Sequence, residues 1–115
     1  MFEFQTLEVY KKAKLFHIDC KQIMSGKTLD HYVVNQLGRA SFSVVLNIAE
    51  GAGKFSSPSK RNYYINSRAS VLECVAILDV LSDQKLIDKL EVDHLTNKAD
   101  ELSRMLYVMA KNLER

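Results

Sequence analysis

Gln36-Leu37-Gly38-Arg39-Ala40-Ser41-Phe42-Ser43-Val44-Val45-Leu46-Asn47-Ile48-Ala49-Glu50-Gly51 is the stretch that decides the fold. At about 100° per residue, Val33, Leu37, Ala40, Val44 and Ile48 fall on one helical face, with Val34, Ser41 and Val45 on its flank. A second arc of roughly 80° carries Gln36, Arg39, Ser43, Asn47 and Glu50. An ordinary solvated face is filled with Lys and Glu. This one offers groups that give and take hydrogen bonds in fixed directions, with small Ser43 at its centre. The residue types favour a polar seam where helices or subunits meet. A ligand or catalytic constellation and a plain wet face are the alternatives. Arg39 and Glu50 stand eleven positions apart, about 16 Å along a helix at 1.5 Å per residue. They cannot pair with each other in one chain. If buried, each needs a partner from another helix or another copy, because an unpaired buried charge costs several kcal/mol.

Outward from that helix, the pattern predicts three more. A first helix over Thr6–Met24 carries Val9, Ala13, Phe16, Cys20 and Ile23 at helical spacing, with Tyr10, His17 and Met24 beside them. Leu7, Leu15 and Ile18 point to the other side, and an apolar second side needs a second partner, most simply a subunit interface. Gly26 ends this helix, and Asp30 or Thr28 caps the second, which continues to Glu50. Gly51 and Gly53 then read as positive-φ positions of a turn. Ser57-Pro58 starts a third helix running to about Ser82, with Tyr64, Ser67, Val71, Cys74, Val75, Leu78 and Leu81 as its apolar row. A fourth begins between Gln84 and Asp93 and ends near Asn112, with Val92, Leu95, Ala99, Leu102, Leu106, Met109 and Leu113 inward. Four helices with short connections form an all-α, up-down-up-down antiparallel four-helix bundle, a single domain over residues 1–115.

Composition agrees with that reading. The chain is 47% hydrophobic with one proline, four glycines and no tryptophan, and at this length it can bury a core without staples. No apolar run approaches a membrane span, and Met1-Phe2-Glu3-Phe4 lacks a signal-peptide pattern, so a cytoplasmic location is expected. Cys20 and Cys74 sit in apolar rows, where free thiols act as small hydrophobes. His17 and Cys20 lack a convincing second pair of ligands, and no metal or cofactor is expected. Gly26-Lys27-Thr28 lacks the upstream glycine and strand of a phosphate-binding loop.

No Ser-His-Asp, Cys-His or nucleotide-binding arrangement has the right context, and Glu50 with Glu73 is the one carboxylate pair to consider. The protein is expected not to be an enzyme. Charge is uneven: residues 1–68 carry ten Lys/Arg and five Asp/Glu, residues 69–115 six and nine, together giving the net +2. Lys54, Lys60, Arg61 and Arg68 surround the turn before the third helix, whose free N–H groups near Ser57 suit a phosphate.

The run Gln36-Leu37-x-Arg39-Ala40-x-x-Ser43-Val44-x-x-Asn47-Ile48-Ala49-Glu50-Gly51, followed by a Ser-rich turn and Ser70-x-x-Glu73, resembles a bacterial four-helix bundle family. Its members were first noticed as reading frames inside intervening sequences of 23S ribosomal RNA genes. The resemblance extends from Phe4 to about Leu113. One departure stands out: the family tends to place Gly before the Ser of the third-helix motif, where this chain has Ala69. Close backbone approach is less easy there. The resemblance implies a ring-shaped homopentamer in which Gln36, Arg39, Asn47 and Glu50 are structural, some of them crossing subunit boundaries. It also favours RNA or DNA as a partner. The fold is similar to an accessory protein of diversity-generating retroelements, which partners a reverse transcriptase and nucleic acid. A scaffold that binds only proteins, or only itself, is the alternative.

Overall fold

In the computed structural model, which describes residues 1–114, each of the four periodic runs is a helix: α1 (Glu8–Met24), α2 (His31–Ala52), α3 (Ser57–Asp83) and α4 (Lys89–Asn112). There are no strands among the described residues. Each helix packs against its two neighbours around a square, α1 against α2 and α4, and α3 likewise. The pairs Gln36–Glu73, Ser43–Ser70 and Val44–Ser67 run in opposite senses along α2 and α3, so these helices are antiparallel. Lys12–Glu101 and Asp19–Lys98 show the same for α1 and α4. The result is the expected four-helix bundle, about 44 Å long.

The core is the set of rows the periodicity marks. Phe16, Leu37, Val44, Ile48, Val71, Leu78, Leu102 and Leu106 are sealed from solvent, and Cys20 and Cys74 meet at the centre. Hydrogen bonding to Cys20 and then burial push the Cys74 thiol far above its usual range, so it stays protonated and unreactive. Along α4 the buried row ends on Ala110, with Met109 and Leu113 only packed against its edge. A strict heptad drifts by about 20° per repeat on a straight helix, which exchanges Met109 for its neighbour.

The start of α1 differs from the sequence reading. Glu3–Thr6 form a separate 3-10 turn, closed by Thr6 Oγ1 donating to Glu3 O at 2.7 Å. Leu7 is then extended (φ −70°, ψ 131°) and packs against the core instead of projecting with Leu15 and Ile18. Helical-wheel placement fails for it because the helix starts after it. Asp30 occupies the cap position of α2 without a side-chain bond, whereas Ser56 Oγ accepts from Ser59 N at 3.2 Å to cap α3.

The glycine turn is also different. Gly26 does take positive φ (75°) after α1, but Gly53 has φ −86° and Gly51 lies inside α2. The left-handed residue before α4 is Lys85 (φ 58°). Gly51 is required for space: a Cβ there would stand 2.8 Å from Tyr64 Cε1 and 2.9 Å from Tyr63 Cβ. Ala69, by contrast, is exposed and lines the groove between α3 and α4.

Gly51→Ala should therefore lower stability by about 1–3 kcal/mol through overpacking. A Cβ on Gly38 meets nothing within 4 Å, so Gly38→Ala should raise stability by up to about 1 kcal/mol through helix propensity. Urea denaturation of the two variants reads both signs.

Candidate functional site

Two surfaces hold the polar residues singled out by the sequence. On the first, α2 and α3 are stitched by short side chains. Gln36 Nε2 donates to Glu73 at the far end. Ser70 Oγ donates to Ser43 Oγ at 2.9 Å, and Asn47 Nδ2 reaches both the Oγ and the carbonyl of Ser43 at 2.9 Å. Deeper in, Ser67 Oγ donates to Val44 O at 2.8 Å, fully buried. Gln36, Ser43 and Asn47 of the predicted stripe thus sit with Ser70 and Glu73 on one seam between helices.

Arg39 and Glu50 do not join it. Both are exposed and form no ion pair among the described residues. Glu50 and Glu73 are no carboxylate pair either. Glu73 lies against Gln36, fourteen positions before Glu50 on α2, or about 21 Å along the axis.

His17, on α1, is tied to this half of the bundle. Its Nδ1 is 2.7 Å from Ser41 Oγ, which is fully buried, and its ring lies 5.2 Å from that of half-exposed Phe42. Burial first, and then the nearby Lys21 charge, hold the imidazole below its ordinary pKa.

The second surface surrounds the first half of α3. Lys60 Nζ donates to Ala52 O at 2.9 Å, closing the C-terminal end of α2. Lys54 Nζ stands 5.1 Å from the centre of the Tyr63 ring. Arg68 donates through Nε to Ser103 O at 3.3 Å and lies 5.6 Å from the Tyr107 ring centre. One of its five N–H donors is spent in this way. Arg61 borders two grooves, one of about 440 Å³ shared with Arg68, Tyr107 and Lys111, the other opening at Ser56, Ser59 and Asn62. Its Nε is buried with no acceptor among the described residues. From Gly51 to Leu72 the chain holds Lys54, Lys60, Arg61 and Arg68 and no acidic residue. Glu114 is the carboxylate lining both grooves.

A third feature escaped the sequence reading. On the outer face of α3, Ile65, Ala69, Leu72, Ala76 and Val80 form an exposed row, with Leu72 and Val80 half open to solvent. Their spacing of 4, 3, 4 and 4 was legible. The stronger inward row of the same helix masks it. Phe42 and Leu46 are similarly exposed on α2, as are Leu15 and Ile18 on α1.

Because His17 resists its proton in the fold, its contribution to stability is complete above the ordinary pKa of 6.5 and is lost as the pH falls below it. The melting temperature should drop between pH 7.5 and pH 5.5, and the drop should shrink in His17→Gln. Ser67→Ala should cost about 0.5–1.5 kcal/mol at any pH in this range, the usual net worth of one hydrogen bond.

Comparison with known proteins follows the fold. The chain is similar to a protein of unknown function from the S23 ribosomal protein family of Bacteroides thetaiotaomicron VPI-5482, whose crystal structure superimposes with a TM-score of 0.83. The two are 18% identical, over 90% of this chain and 95% of that one, a likeness that speaks for the architecture alone. No curated protein matches the sequence. No helix among the described residues is long and apolar enough to cross a membrane. The sequence model of 23S rRNA-intervening sequence proteins matches residues 5–108, and the chain therefore belongs to that family.

Proposed function

We propose that this protein is a non-catalytic, self-associating interaction module of the cytoplasm. The observation that carries the reading is the outer face of α3, where Ile65, Leu72 and Val80 line up exposed on one helix. A lone chain gains nothing from a continuous apolar stripe in water, and such a stripe normally marks a contact surface. Leu15 and Ile18 on α1 and Phe42 and Leu46 on α2 give the same bundle a second apolar side. Arg39 and Glu50, exposed and without an ion pair among the described residues, are available to a neighbouring copy. The family resemblance favours a ring of five.

A second reading, compatible with the first, is binding of RNA or DNA. It is supported by the acid-free stretch from Gly51 to Leu72 and by the groove in which Arg61 and Arg68 lie with exposed Tyr107, beside Ile65, Leu72 and the Lys111–Glu114 ion pair. Cations with an aromatic ring among them suit a phosphate backbone and its bases. Repetition of this surface around an assembly multiplies the phosphate contacts.

Light scattering should give a mass several times 13.1 kDa, and Leu72→Glu should return it to that of one chain. A single-chain mass at high concentration removes the self-association reading. For nucleic acid, affinity for structured RNA and for duplex DNA should fall steeply between 50 and 200 mM salt, by roughly tenfold or more. Arg61→Gln with Arg68→Gln should make the fall shallower. Salt-independent binding argues against a phosphate interface.

A further inference from the structure

The α2–α3 tip holds a side chain that neither the core nor the apolar rows use. Phe55 is completely exposed in the four-residue link Gly53–Ser56 between α2 and α3. Phe55 is the most exposed of the five phenylalanines, ahead of Phe2 and Phe42, whereas Phe16 is entirely buried. The neighbours of Phe55 in the chain are Lys54, whose ammonium lies over the Tyr63 ring, and Ser56, the cap of α3. Beyond Ser56 the groove is lined by Ser59, Arg61 and Asn62 together with Pro58, Ile65, Leu113 and Glu114, and Lys60 lies on the same first turn.

We infer that Phe55 is a stacking platform for an unpaired base, and that the α2–α3 tip selects single-stranded over duplex nucleic acid. The inference rests on the nucleic-acid reading above and names the substrate class. An aromatic face beside cations is the combination that single-strand binders use, the cations following the backbone while the ring takes a base. Bases within a duplex already stack on one another and offer no free face to a ring projecting from a turn. The flanking side chains decide between nucleic acid and a lipid surface. Ser56, Ser57, Ser59 and Asn62 follow Phe55 in the chain with hydrogen-bonding groups, which suit phosphate and base edges and oppose insertion among acyl chains. Phe55 touches no core residue, so changing it leaves the bundle intact.

The test is fluorescence anisotropy of the full chain with an unstructured 20-nucleotide RNA and with the same sequence as a blunt duplex, at two salt concentrations. Phe55→Ala should weaken the single strand about tenfold, leave the duplex within about twofold, and leave the salt dependence unchanged. Phe55→Trp should restore the affinity. Lys54→Gln should instead weaken both substrates and reduce the salt slope by about one. Equal loss for strand and duplex, or no loss in Phe55→Ala while the wild type binds, overturns the stacking role and leaves the basic surface standing. Failure of the wild type to bind either probe removes both. Loss of binding to vesicles of equal phosphatidylcholine and phosphatidylglycerol on Phe55→Ala, with RNA affinity unchanged, reassigns the tip to membranes. A fall in mass by light scattering for Phe55→Ala reassigns it to a contact between copies.

Discussion

How closely α2 can run beside α3 governs the rest of the molecule. Helix axes approach to within the 8–10 Å range according to the side chains between them, and here the intervening positions are small. Gly51 makes room for Tyr63 and Tyr64, Ser67 places its hydroxyl on the α2 carbonyl of Val44, and Ser43 meets Ser70. Each small residue trades volume for proximity. The polar ones then satisfy themselves across the gap, so burying them carries little penalty. With that pair set, α1 and α4 close the square through apolar rows and the Lys12–Glu101 and Asp19–Lys98 ion pairs.

The close α2–α3 pairing also shapes the surface. It turns one face of α3 fully inward and leaves Ile65, Leu72 and Val80 on the other. It places the first turn of α3 at one end of the bundle, where Lys54, Phe55, Lys60 and Arg61 gather with no acid between Gly51 and Leu72. Ile65 and Leu72 of the apolar row line the same α3–α4 groove as Arg61, Arg68 and Tyr107, so a copy seated on that row leaves the α2–α3 tip as the surface free for phosphate.

The cations show how context changes a charge. Lys60 closes the end of α2 through Ala52 O, and Arg68 is held on Ser103 and Tyr107. Such side chains are less free than solvated lysines and lose less entropy when they meet a ligand. On the acidic side, most carboxylates of α4 are paired with nearby lysines and arginines, as in Lys27–Glu91, Lys89–Asp93 and Arg104–Asp100. Exposed pairs of this kind contribute little stability. They do neutralise α4, which leaves the start of α3 as the more cationic region.

Much of this was legible in the sequence. The 3.6-residue period of apolar side chains marks four helices and nearly every core position, because a helix buries one face whatever it packs against. Of the stripe Gln36, Arg39, Ser43, Asn47 and Glu50, read as a seam from its residue types, Gln36, Ser43 and Asn47 lie on one and Arg39 and Glu50 do not. What only the tertiary structure decided was the partner of each group. Glu73 belongs to Gln36 and not to Glu50, and Gly51 serves space and not a turn. Leu7 joins the core, and Arg39 and Glu50 stay in water. These depend on the register between helices, and a register is a relation between two elements that neither one's periodicity contains.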